Sequence, residues 1–298
     1  MPAAGQIDFG LSGALNNQFG ILESDSTLSL NASSINNVAG SLRALGYSGS
    51  TRIVANSLNN AYGRLDSANQ NLDLQVASLS NGAGRILHTG NGNFGLSTDN
   101  IIQAGGSLTS NGALTLNAAS WVNSSVLQAG HLSLNIGNFS QTAEGQLLAS
   151  QSFTGSGNSW VNNGLLASDG DFSLNLSGGY SGDGRLSSLG ALNLSAASIV
   201  LGTPGRINAS SINNHGTLGS AGALRLTTPS LLNVYGLIFS GEDMALRVNG
   251  FTNKYADVYS LGDLDIALDD LGNAAALLDN LSGSIESLGN MSLRAMTV

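Results

Sequence analysis

The chain of 298 residues contains no cysteine, which excludes disulfide bonds and thiolate metal sites. It has three prolines and one lysine, Lys254, and its formal net charge is −9. Nucleic-acid binding needs clustered basic residues, and the arginines form no stripe in the sequence. The acidic balance also disfavours an anionic membrane surface. We therefore expect no nucleic-acid partner.

Long hydrophobic runs are absent as well. No stretch of about 18 apolar residues occurs, so we predict no transmembrane helix and no membrane insertion. The N-terminus lacks a basic region followed by an apolar stretch, so we expect no signal peptide. Charged residues are 10% of the chain against about 25% in ordinary proteins, and hydrophobic residues are 42%. Ample hydrophobic residues with few charges argue against disorder.

Glycine is abundant, and many of the glycines mark a repeat whose period lies in the range typical of solenoids. Copies begin at regular intervals from Gly20 to Gly283, apart from two longer intervals, Gly184 to Gly216 and Ala256 to Gly283. Counted from the first glycine, large apolar residues recur at offsets 2, 8, 10 and 15. Three copies align without gaps: GSLTSNGALTLNAASWVNS (106–124), GRLSSLGALNLSAASIVLG (184–202) and GTLGSAGALRLTTPSLLNV (216–234).

The apolar residues alternate within each copy, as Leu192 and Leu194 show, and a period of two predicts strands. A unit of about 20 residues with two or three short strands closes one turn, here called a rung, and the next rung pairs with it in parallel. The sequence therefore predicts an all-β, right-handed parallel β-helix (a solenoid) of about 13 rungs. We expect residues 1–298 to form a single repeat domain, a fragment of a longer rod that continues in both directions.

The repeat also predicts where each position lies. Offsets 2, 8, 10 and 15 should point inward and form apolar columns. Offset 17 is asparagine in five copies, and we expect these side chains to share one corner, adopt its left-handed conformation and form a hydrogen-bonded ladder. The five are Asn37, Asn123, Asn162, Asn233 and Asn253.

The two long intervals predict irregularities. The first suggests a loop or partial rung at 202–215, and the second suggests an insertion at 269–283 that forms a short helix or loop. Nine of the 19 acidic residues lie in 242–298. The four carboxylates Asp263, Asp265, Asp269 and Asp270 leave a Ca²⁺ site or a paired-carboxylate glycosidase open as minor alternatives. The first two flank inward residues, so we expect them to face solvent.

Other candidate chemistry is sparse. His88, His131 and His215 lie at different offsets without evident partners, and we interpret them as surface or turn residues. The segment GGYSGDGRL (178–186) resembles one copy of a Ca²⁺-binding repeat, but such repeats need successive copies, so we interpret it as a turn. Trp121 and Trp160 both fall at offset 15 and should lie in the core. We therefore assign no catalytic, cofactor-binding or metal-binding residue and expect no cofactor.

The units resemble the haemagglutinin repeats of two-partner-secretion exoproteins, most of all the contact-dependent growth inhibition toxins of the CdiA type. The resemblance rests on the repeated GxLxSxGALxLxA, on the SINN corners (34–37 and 211–214) and on the tail GLIFSGEDMALRVNGFTNKYADVYSLGDLDIA (236–267) with NLSGSIESLGNMSLRA (280–295). It implies export by a dedicated outer-membrane transporter and folding outside a Gram-negative cell. It also implies a virulence-related rod that projects a distal receptor-binding or toxin region.

The function we expect is therefore that of a structural rod in a secreted, cell-surface exoprotein, without enzymatic activity. A target-cell receptor would be contacted mainly through regions outside these residues. The sequence leaves two alternatives open. The rod itself could be an adhesin that binds a receptor or glycan, for instance along 242–298. It could also be a carbohydrate-active β-helix enzyme, although no acidic cluster with a basic partner is evident.

Overall fold

The computed structural model describes residues 5–103, 105–196, 198–201, 205–209 and 211–298. Within these ranges the chain is all-β, without a helix, and strands of one rung pair in parallel with strands of the next rung. The protein is thus a parallel β-solenoid of about 12 rungs, close to the 13 that the repeat predicts. The chain divides into two compact units, residues 1–155 and 156–298.

Strands of the first unit are 3 to 16 residues long. The last of them ends two residues into the second unit. They are β1 (Ile7–Gly10), β2 (Ala14–Asn16), β3 (Ile21–Ser24), β4 (Leu28–Asn31), β5 (Ser34–Asn36), β6 (Ser41–Ala44), β7 (Ser50–Asn59), β8 (Arg64–Ser67), β9 (Asn71–Ser80), β10 (Arg85–His88), β11 (Asn93–Gln103), β12 (Ser107–Ser110), β13 (Ala113–Asn123), β14 (Val126–Gln141) and β15 (Gln146–Gly157). The longest, β14, continues through a corner to pair with both β12 and β13.

Eighteen further strands lie among the described residues of the second unit. They are β16 (Ser159–Asn162), β17 (Leu165–Ser168), β18 (Asp171–Leu176), β19 (Gly179–Gly182), β20 (Arg185–Ser188), β21 (Ala191–Ser195), β22 (Ser198–Leu201), β23 (Gly205–Asn208), β24 (Ser211–Asn214), β25 (Thr217–Ser220), β26 (Leu224–Val234), β27 (Leu237–Ser240), β28 (Met244–Lys254), β29 (Asp257–Ser260), β30 (Leu264–Ala267), β31 (Leu277–Leu281), β32 (Ser284–Ser287) and β33 (Met291–Leu293).

In the first unit the strands form three stacks. The first contains β3, β6, β8, β10 and β12. The second contains β1, β4 and the first halves of β7, β9, β11 and β13. The third contains β2, β5 and the second halves of those same four strands. Each rung therefore contributes one strand segment to each stack.

Inward side chains form apolar columns, as the repeat predicts. In the first stack Leu42, Leu65, Ile86 and Leu108 pair rung on rung and are at most 2% exposed. Fully burying one such side chain contributes about 1.5–3 kcal/mol. Residues at offsets 2, 8, 10 and 15 of all three well-aligned copies are buried. The inward assignment is confirmed.

The stacking of the copies that begin at Gly184 and Gly216 differs from the prediction. Leu186, at offset 2, pairs with Ile207, which pairs with Leu226, at offset 10. Similarly Leu192 pairs with Ile212, which pairs with a residue at offset 15. The segment predicted as a loop or partial rung at 202–215 supplies β23 and β24, two of the three strands of a rung. This longer interval thus spans one full rung and two thirds of another, and identical offsets fall on different stacks.

The second irregularity is a loop within the described residues, not a helix. Leu246 pairs with Ile266 at the ordinary spacing of the repeat, whereas Phe251 pairs with Leu278, which lies further along the chain than that spacing would place it. The extra residues therefore lie between β30 and β31, where the backbone forms turns. Asp270, within this loop, forms salt bridges with arginines of β26 and β28.

The inward columns predict a sharp difference between adjacent positions. We expect Leu194→Asp to lower the free energy of unfolding by about 3–5 kcal/mol, because it places an unpaired charge in the core. Asn193→Asp is the matched control, since Asn193 is exposed and its Oδ1 already accepts a hydrogen bond from Asn213. Urea unfolding followed by circular dichroism measures both. Equal stability of the two variants would contradict the inward assignment of Leu194.

Candidate functional site

A ladder of asparagines runs along one corner of the first unit. The Nδ2 atoms of Asn17, Asn37 and Asn60 each donate to the Oδ1 atom of the next ladder residue at 2.7 Å, and the last acceptor is Asn81. Asn37, Asn60 and Asn81 have no exposed surface. Each buried amide thus satisfies its donor and its acceptor along the solenoid axis, as a stable buried polar group must. The predicted ladder exists and includes asparagines that the offset rule missed.

The left-handed residue of this corner is not the asparagine, contrary to the prediction. It is the residue two positions later: Phe19, Ala39 and Tyr62 have φ values of 56°, 50° and 56°. The glycine that follows donates its N–H to the carbonyl oxygen of the asparagine, which closes a four-residue turn. A positive φ recurs in the second unit at Tyr235 and Tyr255, although Ala256 and not a glycine follows Tyr255. The side-chain amide of the asparagine is held by the ladder, and the change of chain direction occurs in the residues that follow it.

Glycine at the end of this turn is required by space. A Cβ atom at Gly40 would overlap the carbonyl oxygen of Asn17 on the preceding rung and the Oδ1 atom of Asn37. A Cβ atom at Gly63 would likewise overlap the carbonyl oxygen of Asn37 and the Oδ1 atom of Asn60. The turn sequence Asn-x-x-Gly is therefore a consequence of the ladder, because the amide column occupies the volume that a side chain would need.

The predicted grouping of five asparagines at one corner is partly wrong. Within the first unit, Asn37 and Asn123 lie in one column, and the Asn123 Nδ2 atom donates to Gln141 at 2.9 Å. Within the second unit, Asn233 and Asn253 form a ladder, but Asn162 ends β16, which belongs to a different stack. The interval between the copies at Gly184 and Gly216 is five-thirds of a rung, so the same offset lies at different corners before and after it. This shift explains the error. The second ladder contains Asn214, Asn233, Asn253 and Asn280.

His88 is buried, which contradicts its interpretation as a surface or turn residue. Its Nε2 atom lies 3.1 Å from the carbonyl oxygens of Asn69 and Gln70, and its Nδ1 atom lies 3.1 Å from the Ser110 hydroxyl. Carbonyl oxygens only accept, so Nε2 carries the proton and Nδ1 accepts from the hydroxyl. Burial lowers the pKa of His88, and the two carbonyl contacts partly oppose that change. The residues that precede His88 in its column, Ala44 and Ser67, are small. No sequence pattern indicated that His88 would be buried.

The other two histidines are exposed, as the sequence indicated. The Nδ1 atom of His131 forms a hydrogen bond of 2.8 Å with the Ser152 hydroxyl. Neither histidine lies in a group of His, Asp or Glu that could hold a metal, and no such group of three occurs among the described residues.

The four candidate carboxylates are all engaged within the chain. Asp263 accepts from the backbone N–H of Asn290 at 2.7 Å. Asp265 pairs with Arg247 at 2.8 Å. Asp269 accepts from its own loop, and a hydrogen bond from the Asn273 side chain is the main cause of its lowered pKa. The Oδ1 atom of Asp265 is buried without a hydrogen-bond partner.

Asp270 is the most engaged carboxylate of the loop. Both of its oxygens accept from the Arg225 guanidinium, at 2.9 and 2.8 Å, and Oδ1 also accepts from Arg247 at 2.8 Å. Hydrogen bonds from these two arginines lower the pKa of Asp270 to about 2. The loop is thereby fastened to the outer face of β26 and β28.

The glycine-rich segment 178–186 is more than a turn, since it contains β19. Tyr180 lies in the core at 1% exposure, pairs with Trp160 and accepts a hydrogen bond of 3.0 Å from Asn162. Burial raises the pKa of the Tyr180 hydroxyl well above its ordinary value. Trp121 and Trp160 are 2% and 0% exposed, so both lie in the core as predicted. Their burial leaves no ring surface for a sugar.

Two features of the outer surface were not visible in the sequence. A shallow cleft of about 470 Å³ forms where Gly95 faces outward, with Asp73, Gln75 and Asn117 among its polar walls. In the second unit, Arg206 pairs directly with Arg225 on the next rung, although the sequence showed no arginine stripe. Within the described residues, no helix is long and apolar enough to cross a membrane.

Comparison with known proteins identifies the repeat. A model of the haemagglutinin repeat matches residues 2–66 and 200–295, more than half of the chain. The chain belongs to the haemagglutinin repeat family. The second matched range begins in β22, just before the segment 202–215 that supplies the partial rung. The resemblance to repeat exoproteins that the motifs indicated is confirmed.

One curated relative points to the CdiA type. It is deoxyribonuclease CdiA of Dickeya dadantii (strain 3937), which is 28% identical over 230 residues. The aligned residues are 76% of this chain and 6% of that protein, so the chain spans a small part of the relative's length. No solved structure matches the chain.

The asparagine ladder predicts a stability effect. Asn60→Ala should lower the free energy of unfolding by about 2–4 kcal/mol, because it removes the partner of one Asn37 side-chain N–H and of the Asn81 Oδ1 atom, both of which are buried. Asn56→Ala is the control, since Asn56 is exposed and should change stability by less than about 0.5 kcal/mol. Thermal and urea unfolding measure both variants. If the ladder did not contribute to stability, the two variants would have the same melting temperature.

His88 predicts a pH dependence. Because its folded pKa is lowered, the unfolded chain binds a proton more readily as pH falls below about 6.5. The stability is therefore fully present at pH 7.5 and decreases towards pH 5.5. We expect His88→Gln to flatten the slope over this window, whereas His131→Gln, at an exposed position, should leave it unchanged. Urea midpoints measured every half pH unit test this. An unchanged slope in His88→Gln would refute it.

Proposed function

We propose that this chain is a structural segment of the rod of a secreted, cell-surface exoprotein of a Gram-negative bacterium. The observation that supports it best is the uniform repeat, in which ladders and apolar columns use the inward positions for stability alone. Each rung packs on its neighbours, so length can be added without redesigning a core. The family and the CdiA-type relative support the same assignment.

The proposal includes the role of the rod. It would project a distal receptor-binding or toxin region towards another cell, for adhesion or contact-dependent growth inhibition. Export would use an outer-membrane transporter of the two-partner type, and a target-cell receptor would be contacted mainly outside these residues. We also propose that residues 1–298 form one continuous repeat domain, because the copies at Gly145 and Gly164 keep the ordinary spacing of the repeat across the unit boundary.

We propose further that this segment is not an enzyme. Its candidate carboxylates are held by arginines and backbone amides, and His88 is enclosed by its column. Incubation of the purified chain with acidic and neutral polysaccharides, followed by product analysis, tests this directly. Turnover that survives further purification would overturn the proposal.

A spacer role predicts tolerance to loss of a whole rung. Ile21 pairs with Ser41, so deletion of residues 21–40 joins Gly20 to Ser41 in register. In an exoprotein carrying this segment, we expect that deletion to preserve export and delivery. Deletion of residues 21–30 removes half a rung, turns the following inward residues out of register and should abolish export. Surface immunolabelling and a competition assay against target cells measure both.

The two deletions also separate the possible failures. Loss of delivery with normal export after the whole-rung deletion would show that the segment does more than set length.

A further inference from the structure

Three arginines stand on successive rungs of the second unit. Arg206 pairs in register with Arg225, and the pairing of Leu186 with Ile207 places Arg185 beside Arg206. Neighbouring strands lie about 4.8 Å apart, so the three side chains form a short column on the outer face. We call these three residues the arginine column. A third of the arginines of an acidic chain are thereby gathered at one place.

Five of the other six arginines form ion pairs within the described residues. Arg64 and Arg85 also pair in register on adjacent rungs, but Asp66 forms an ion pair with each of them. Arg43 pairs with Glu23 on the preceding rung, and Arg52 lies across from Asp73. Within the described residues, Arg185 and Arg206 are exposed and form no ion pair. Like charges directly opposite one another on adjacent strands are destabilising. An external anion would remove that cost.

A cleft between the arginines provides room for such an anion. It has a volume of about 270 Å³, and its walls include the arginine column together with Asn208 and Thr227. Asn208 and Thr227 pair on adjacent rungs and add an amide and a hydroxyl beside the guanidinium groups. The cleft therefore combines charge for an acidic group with neutral donors and acceptors for hydroxyl groups.

The column already holds one carboxylate of the chain itself. Arg225 donates through both terminal nitrogens to the two oxygens of Asp270, at 2.9 and 2.8 Å. This fork-to-carboxylate geometry is the strongest form of such contacts and is specific to a planar, two-oxygen acceptor. Arg185 and Arg206 present the same group on the next rungs, without an internal acceptor among the described residues.

We propose that Arg185 and Arg206 form a binding site for the carboxylate groups of a uronic-acid polysaccharide. One sugar residue of a linear chain has a length similar to the strand spacing, so consecutive carboxylates can meet consecutive rungs. The sugar hydroxyls would bond to Asn208 and Thr227. This binding activity is additional to the rod role and does not depend on it.

Calorimetric titration of the purified 298-residue chain with an oligogalacturonate tests the site. We expect binding that weakens as salt rises, and no binding of a neutral maltooligosaccharide of equal length. Arg206→Gln should weaken binding at least about tenfold, because a charge-assisted pair is lost. Arg206→Lys should be intermediate, since it keeps the charge but loses the fork.

Arg52→Gln is the matched control, because it removes the same charge from an exposed position in the first unit. It should change the affinity by less than about twofold, as expected for a position outside the site. Circular dichroism and melting temperatures should be the same for all variants. Absence of oligogalacturonate binding would overturn the proposal. So would equal losses in Arg206→Gln and Arg52→Gln, tighter binding of a sulfated oligosaccharide of the same length, or binding only to anionic lipid vesicles.

Discussion

Parallel pairing of each rung with the next is the constraint on which the rest of the structure depends. It fixes the spacing of neighbouring strands at about 4.8 Å and brings equivalent residues into contact along one axis. An apolar column such as Leu42, Leu65 and Ile86 is a direct result, because an inward position on one rung must meet an inward position on the next. Stability is then a sum of contacts between neighbours, and no single large core is needed.

The same constraint explains why polar groups can be buried at the corners. An asparagine amide has donors on one side and an acceptor on the other, so identical amides one rung apart satisfy each other. Asn37, Asn60 and Asn81 use this arrangement and remain fully buried. The corner has a cost, since Phe19 and Tyr62 adopt a left-handed conformation that costs roughly 1–2 kcal/mol in a residue with a side chain. The ladder and the backbone bonds on both sides offset that cost.

Periodicity made the fold and the inward positions predictable, because alternation and spacing are local properties of the sequence. The register across the long interval between Gly184 and Gly216 was not predictable in the same way. Aligning the copies that begin at these two glycines assumes that a whole number of rungs separates them. No local sequence feature shows that the interval contains two thirds of an additional rung. Asn162 was therefore assigned to the wrong corner. His88 was missed for a related reason, since its burial depends on Ser110 and on carbonyl groups that only stacking brings near.

The phase change also determines the chemistry of the outer face. If the copies at Gly184 and Gly216 were stacked at equal offsets, Arg185 would lie against Thr217 and Arg225 against Asn193. The extra two thirds of a rung inserts Arg206 and moves Arg225 into its column. An irregularity that weakens the repeat in sequence thus brings three arginines into one column, whereas the regular repeat pairs Arg64 and Arg85 beside a neutralising Asp66. Because stability uses the inward positions, such a change can alter outward chemistry while the ladders and columns continue.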